Sequence, residues 1–332
     1  MVRVLIVGLG SIGSRHLDNL RVIDRSVHVT VWHQHRKPGD GGHGGPAADC
    51  TVYRLEDAIQ AKPDAALITG PASRHVEAGL ALAEAGMHLF IEKPISDTLN
   101  KVDELLRLCR ERDLVLMVGY NFVFYRPFQI MQQAIMEGRI GRVLSVRAEV
   151  GQFLPEWRPA SDYRQTVSAQ SQLGGGVLLE LSHEFEYVRR LVGEVKAVSA
   201  ELGHLSDLEI DVEDTAEVIL RFTNAAIGSV HVDMTQRPAR RICHVVGTQG
   251  TLTWDGSTHR VGFFSATTNT WSELHPAGRI DLNETYMKEI RHFLDCVRRR
   301  EPPKIGGEDA RRILEIVLAA KRSHREQRVV EV

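Results

Sequence analysis

The sequence predicts an α/β protein in two parts: a doubly wound parallel sheet, followed by a part that contains an antiparallel sheet. Three observations predict it. The apolar run Val2-Arg-Val-Leu-Ile-Val7 leads directly into Gly8-Leu-Gly10-Ser-Ile-Gly13. Strand-like and helix-like segments then alternate as far as about Tyr120. Beyond that point most apolar runs are joined by short turns, the mark of antiparallel pairing.

The first run reads as a buried strand because it is almost continuously apolar. The three glycines behind it permit a tight turn, close approach of backbone to a pyrophosphate, and close packing of a helix on the strand. The helix from Ile12 to about Val22 points its N–H groups and positive dipole end at that turn. Gly8, Gly10, Ser11, Ile12 and Gly13 are therefore expected to hold the phosphates of a dinucleotide. Further strands are predicted at Val27–Trp32, Thr51–Tyr53, Ala65–Thr69, Met87–Ile91 and Leu114–Val118, with helices at Ser73–Ala85 and Asp97–Arg112. The rhythm implies a parallel sheet with helices on both faces and a ligand at the carboxyl ends of its strands.

After Tyr120 a helix is predicted from Arg126 to about Glu137. Gly138-Arg-Ile-Gly141 then leads into a long strand, Val143–Val150. One helix is predicted from Gly174-Gly-Gly176 to about Leu191. Strands follow at Ala197–Gly203, Thr215–Thr223, Ala226–Val232, Arg241–Gly247, Gly250–Trp254 and Val261–Phe264. Helices at about Asn283–Arg300 and Glu308–Glu326 close the chain, with Pro302-Pro303 breaking it between them.

Composition narrows the function. The chain has 332 residues, 43% hydrophobic and 25% charged, and a net charge of -2. That balance argues against a nucleic-acid partner, which usually brings a basic excess. No apolar run reaches the length of a membrane span. The chain enters a strand at once, so no secretory leader is expected. Four cysteines without a CxxC pair indicate neither a zinc knuckle nor a redox motif, and suit a reducing, cytoplasmic compartment.

Two clusters carry chemistry. Glu92-Lys93-Pro94 follows the fifth strand, where a strand end faces the cofactor crevice. A lysine there would orient a substrate hydroxyl and stabilise charge developing on its oxygen; the same lysine would also suit a surface salt bridge. In the segment Gly174–Glu186, Glu180 and His183 stand three apart and would share one face of a helix. The histidine would accept a proton as hydride leaves, and the carboxylate would orient it or hold a second hydroxyl. HxxE spacing alone does not make a metal site, and none is expected.

The cofactor's ribose would sit near the end of the second strand. An acid about 20 residues beyond the glycines marks NAD sites. Counting from Gly13 reaches His33, and Trp32-His-Gln-His-Arg36-Lys37 contains no acid. His33, Arg36 and Lys37 are expected cofactor contacts, and Arg36 and Lys37 suit a 2′-phosphate, so NADP is favoured over NAD; with both side chains in solvent the site would accept either.

Together these features resemble the Gfo/Idh/MocA family of glucose-fructose oxidoreductases and inositol dehydrogenases, over nearly the whole chain. The marks are Gly8–Gly13 with His16, Thr69-Gly-Pro71 with His75, Glu92-Lys93-Pro94, Gly138–Gly141 and Gly174–Glu186. The resemblance implies a Rossmann domain over 1–120 and, over 121–332, a substrate-binding and oligomerisation α/β domain. The latter would be built on a large, open, mainly antiparallel sheet, with the C-terminal helices able to pack back on the first domain. It implies cofactor contacts at Thr69, Pro71, His75, Glu92 and Lys93. The family's lysine maps to Lys93 and its catalytic histidine to His183. The family usually shows an aspartate and, four residues on, a histidine; here Glu180 replaces the aspartate, His183 comes three on, and Glu184 stands at the fourth place, so the base falls at His183 or Glu184.

Tyr120, Asn121, Trp157, Asp162, Tyr163 and Arg164 join Lys93, Glu180 and His183 as expected substrate contacts, the loop residues also reading as an ordered loop that touches no substrate. The expected reaction is hydride transfer between NAD(P) and a carbinol of a sugar or sugar derivative, with sugar phosphates and nucleotide sugars included. Two other readings stand beside it: a non-catalytic regulator that binds cofactor and sugar, and an enzyme running an internal redox cycle on tightly held cofactor. A homodimer or homotetramer is expected.

Overall fold

A computed structural model describes residues 2–33 and 48–332. In the amino-terminal part the elements are β1 (Arg3–Val7), α1 (Ser11–Ile23), β2 (His28–Trp32), β3 (Cys50–Val52), α2 (Leu55–Gln60), β4 (Ala65–Ile68), α3 (His75–Glu84), β5 (His88–Glu92), α4 (Val102–Glu111) and β6 (Leu116–Gly119). Then follow α5 (Arg126–Met136), β7 (Val143–Gly151), α6 (Val177–Glu180), α7 (His183–Val192), β8 (Val195–Gly203), β9 (Thr215–Phe222), β10 (Ile227–Asp233), β11 (Arg240–Gly247), β12 (Gly250–Asp255), β13 (Arg260–Ser265) and β14 (Thr270–His275). The chain closes with α8 (Asn283–Arg299), α9 (Gly307–Glu326) and β15 (Val330–Glu331).

These elements form two compact units. The first comprises 1–121 and 282–311, the second 122–281 and 312–332. In the first, six parallel strands lie in the order β3-β2-β1-β4-β5-β6. The order reverses between β1 and β4, which opens a crevice at their carboxyl ends. Val4–Val7, Ala65–Ile68 and Leu89–Ile91 are buried almost completely, as expected of strands covered on both faces. Helix α8 packs against α1, and α3 against α4.

The second unit holds nine strands in the order β14-β13-β12-β11-β7-β10-β9-β8-β15. All neighbours are antiparallel except β7 and β10, which run parallel. Strand β9 alternates cleanly: Ala216, Val218, Leu220 and Phe222 are buried, while Glu217, Ile219 and Arg221 face out. Helices α6 and α7 cover the inner face. Beside them Phe128 stacks on Tyr187 at 4.2 Å and leans on Trp254 at 4.6 Å. The Trp254 indole N–H donates to the Tyr125 hydroxyl at 3.3 Å, so the cluster's polar atoms are satisfied.

The structure departs from the sequence expectations at several elements. The segment expected as one helix to Leu191 is two, α6 and α7, broken at Leu181 and Ser182. Glu180 ends the first and His183 begins the second, so they do not share a helix face. The helix expected from Asp97 starts at Val102. Helix α2 and strands β14 and β15 were not anticipated.

Candidate functional site

The site begins at the turn after β1. Gly8 adopts φ +86°, a conformation that side chains disfavour. A Cβ on Gly13 would run into the Gly8 carbonyl and come within 2.7 Å of the Thr69 hydroxyl, so only glycine lets α1 settle this closely on β1. A Cβ on Gly10 would meet nothing within 4 Å: the space above the turn is open. Gly10 caps α1 without a side chain, so no side chain competes for the N–H groups of the first turn. Thr69 ties the turn to β4, its hydroxyl lying 3.0 Å from the Val7 carbonyl and 2.8 Å from that of Gly8. An open concavity rimmed by glycine and uncapped helix N–H groups fits the pyrophosphate of a dinucleotide. His33 stacks on Tyr53 at 5.9 Å; Arg36 and Lys37 lie outside the described residues.

Lys93 sits immediately beyond β5, half-buried between buried neighbours. The Lys93–Pro94 peptide is cis. Glu92 positions it from below: one carboxylate oxygen accepts the Lys93 backbone N–H at 3.2 Å, and the other lies 2.6 Å from His16 Nε2. His16 is fully buried and packed edge-on against Phe90 at 5.3 Å. The histidine of the glycine motif and the glutamate of the lysine motif, 76 residues apart, are thus one contact. His75, also buried, begins α3 with both ring nitrogens on carbonyls: Nε2 lies 2.8 Å from Gly70 O and Nδ1 2.9 Å from Pro94 O. Pro71 precedes this turn. Tyr120 is fully buried, and the Asn121 amide donates to the Thr285 hydroxyl at 2.7 Å.

In the second unit the triple glycine has a steric cause. Gly176, at φ +102°, would with a Cβ lie 2.6 Å from the Glu213 carboxylate. Glu180 accepts a hydrogen bond from the Ser168 hydroxyl at 3.0 Å. The His183 imidazole stacks on Phe122, centroids 4.7 Å apart and planes at 21°. The Arg241 guanidinium lies 4.4 Å from the same ring and forks onto both oxygens of the buried Glu184 at 2.7 and 2.9 Å. Glu184 also accepts from the Tyr187 hydroxyl at 3.3 Å, and burial pushes that phenol well above its usual pKa. A carboxylate so committed is poorly placed to accept a substrate proton.

The loop after β7 is bonded largely to itself. Trp157 donates its indole N–H to Gln152 O at 2.9 Å. Arg164 forks onto Asp162 at 2.9 and 3.0 Å and reaches Glu209 at 3.0 Å, while the Tyr163 hydroxyl accepts the Glu209 N–H at 3.2 Å. The Arg164 hydrogen bond holds the Asp162 carboxyl below its usual range. No group of metal-ligating side chains occurs among the described residues.

The structure therefore brings Gly8–Gly13, Thr69, His75, Glu92 and Lys93 together in the first unit, and Glu180 and His183 belong to the second. Sequence reasoning gave no role to Arg241, Phe122 or Ser168. Phe122 and Arg241 lie far along the chain from what they support, Ser168 lies in the loop before Glu180, and no local pattern marks any of them.

Family models match both parts of the chain. An oxidoreductase-family NAD-binding Rossmann fold matches residues 2–120, and the oxidoreductase-family C-terminal alpha/beta domain matches 132–332. The myo-inositol 2-dehydrogenase of Thermotoga maritima is 29% identical over all of this chain and 98% of its own. The scyllo-inositol 2-dehydrogenase (NAD(+)) of Bacillus subtilis is 25% identical over 98% of this chain and 94% of its own. Among solved structures, a levoglucosan dehydrogenase in complex with NADH superposes with a TM-score of 0.85 at 21% identity, covering 100% of this chain and 99% of that one. With a cradle for a dinucleotide and both family domains in place, the chain belongs to the Gfo/Idh/MocA family of nicotinamide-dependent oxidoreductases.

Proposed function

We propose that this oxidoreductase transfers hydride between NAD(P) and a ring carbinol of a sugar or cyclic polyol. The observation that carries the reading is the placement of Lys93. Its backbone is anchored through Glu92 to His16, beside the glycine cradle. The full-length relatives named for inositol oxidation support a cyclic polyol substrate. Bound nicotinamide would supply the hydride acceptor. The Lys93 ammonium would donate a hydrogen bond to the carbinol oxygen and steady the charge that grows there. His183, its ring plane set by Phe122, would take the hydroxyl proton on a ring nitrogen. Glu180 would orient His183 or a neighbouring substrate hydroxyl. Tyr120, Asn121 and the loop residues Trp157, Asp162, Tyr163 and Arg164 would shape the sugar pocket.

The lack of an acid after β2, together with Arg36 and Lys37, favours NADP over NAD. The outer face of the nine-stranded sheet exposes Ile227 and Trp271 by 57% and 56%, which favours assembly as a homodimer or homotetramer through that face. Four free cysteines fit a cytoplasmic setting. No helix among the described residues is long and apolar enough to cross a membrane.

The test is an optical screen of inositols, sugars, sugar phosphates and nucleotide sugars with both oxidised cofactors, paired with dissociation constants for NADH and NADPH. Cofactor reduction by at least one ring carbinol and tighter NADPH binding are expected. Binding of cofactor and sugar with no absorbance change across the panel would contradict the reaction, and tighter NADH binding the NADP preference.

A further inference from the structure

His75 stands apart among the buried histidines of the first unit. Its relative exposure is 1%, so its side chain is closed off from the cofactor contact that the resemblance implies for it, and both ring nitrogens point instead at backbone carbonyls of the two turns. Gly70 belongs to the turn after β4, and a Cβ on Gly8 would lie 3.7 Å from it; this turn walls the glycine cradle at the point where strand order reverses. Pro94 belongs to the turn after β5 that presents Lys93. Helix α3 starts at His75 itself, so the ring is held by a helix packed on both β4 and β5.

We propose that His75 is a positioning residue that couples the cofactor turn to the lysine turn, its Nε2 side setting Gly70 and its Nδ1 side setting Pro94. It does this without touching cofactor or substrate. The two carbonyls can only accept, and a neutral imidazole has a single N–H to give. Burial favours the neutral ring, against the pull of both carbonyls and of the Glu92 and Asp97 charges. The proton therefore sits on one nitrogen at a time, one tautomer donating to Gly70 and the other to Pro94, and a change at either turn shifts that balance.

The inference rests on the hydride-transfer reading, and side-chain geometry supplies a test that separates the two arms. An asparagine amide nitrogen falls near the position of histidine Nδ1, and a glutamine amide nitrogen near that of Nε2. His75→Asn keeps a donor for Pro94 and loses Gly70; His75→Gln keeps Gly70 and loses Pro94. Losing a hydrogen bond of ordinary worth is about tenfold in an equilibrium or rate. The Asn variant is expected to bind NADH or NADPH (whichever the wild type binds more tightly) about tenfold more weakly, with a smaller loss in kcat. The Gln variant is expected to lose about tenfold in kcat at saturation, with a smaller loss in cofactor affinity.

A merely structural histidine would lower both quantities together in both variants and would not give this crossed pattern. Equal losses in the two variants, a loss in only one, or none in either would overturn the proposal. Cofactor affinity is read by nicotinamide fluorescence and needs no turnover. A wild type that binds cofactor but oxidises no carbinol would sink the hydride-transfer reading. The Gly70 arm would then be decided by whether the Asn variant alone loses affinity.

Discussion

Replacing Glu289 by glutamine should stabilise the first unit, by an amount that grows with pH. Glu289 lies on α8 about one turn from Tyr286 and from Phe293, whose rings pack on His16 and Phe90. Its side chain is fully buried, and neither carboxyl oxygen has a hydrogen-bond partner among the described residues. Burial, and then the charge of Glu92, push its pKa well above the ordinary range. In the unfolded chain the same group ionises near about 4.3. Between those two values the folded protein keeps a proton that the unfolded chain has released. Stability therefore falls as pH rises, at about 1.4 kcal/mol per pH unit. Below the unfolded value both states are protonated and the contribution is whole; above the folded value it is gone. Glutamine has nearly the same shape and no proton to lose. The variant's advantage should thus open above about pH 4.3 and widen at about 1.4 kcal/mol per unit until the folded pKa is reached. Urea unfolding followed by circular dichroism at roughly pH 5, 6 and 7 measures it. A gap that stays flat over that range, or a wild type more stable than the variant at the top of it, would refute a neutral, buried Glu289.

Three further outcomes follow from the site and its supports. Gly13→Ala should weaken cofactor binding by at least about tenfold, because its methyl meets the Gly8 carbonyl and forces α1 off the turn; nicotinamide fluorescence reads this, with circular dichroism confirming the fold. Arg241→Ala should cost the second unit about 3–5 kcal/mol in thermal or urea unfolding by stranding the buried Glu184, and adding Glu184→Leu should recover part of the loss. His231 lies between Asp233 at 3.1 Å and Glu217 at 2.7 Å, and chiefly the Asp233 bond raises its pKa to about 9. Its stabilisation is complete below the unfolded value of about 6.5 and is lost as pH rises through about 9; the His231→Gln variant should show a flatter pH–stability profile across that window.

Much of the first unit was legible because its signals are local. A continuous apolar strand, three glycines and a helix start fall within the first 23 residues, and the structure has β1, the cradle and α1 there. The lysine turn was legible for the same reason: Glu92-Lys93-Pro94 directly follows an apolar run. The split between α6 and α7 was not. Apolar residues continue through Leu178, Leu179 and Leu181, and neither glycine nor proline marks the break. Tertiary packing overrides helical periodicity there, and the argument that placed Glu180 and His183 on one helix face fails with it. Strand β14 escaped because most of it is exposed and none of it is buried, so no alternation of apolar and polar residues betrays it. The parallel pairing of β7 with β10 is a property of topology, which no local pattern encodes. The contacts that support the candidate site, His16 to Glu92 and Arg241 to Glu184, join residues 76 and 57 positions apart. Their residue types were visible in the sequence, but not their pairing.

The most direct test of the redox role is turnover of the wild type and the Lys93→Ala variant on the best carbinol from the screen, with cofactor affinity measured alongside. The variant should bind cofactor as the wild type does and reduce it at least about a hundredfold more slowly, the usual consequence of losing a hydrogen-bond donor to a developing oxyanion. Undiminished cofactor reduction without the Lys93 amine would contradict the central claim.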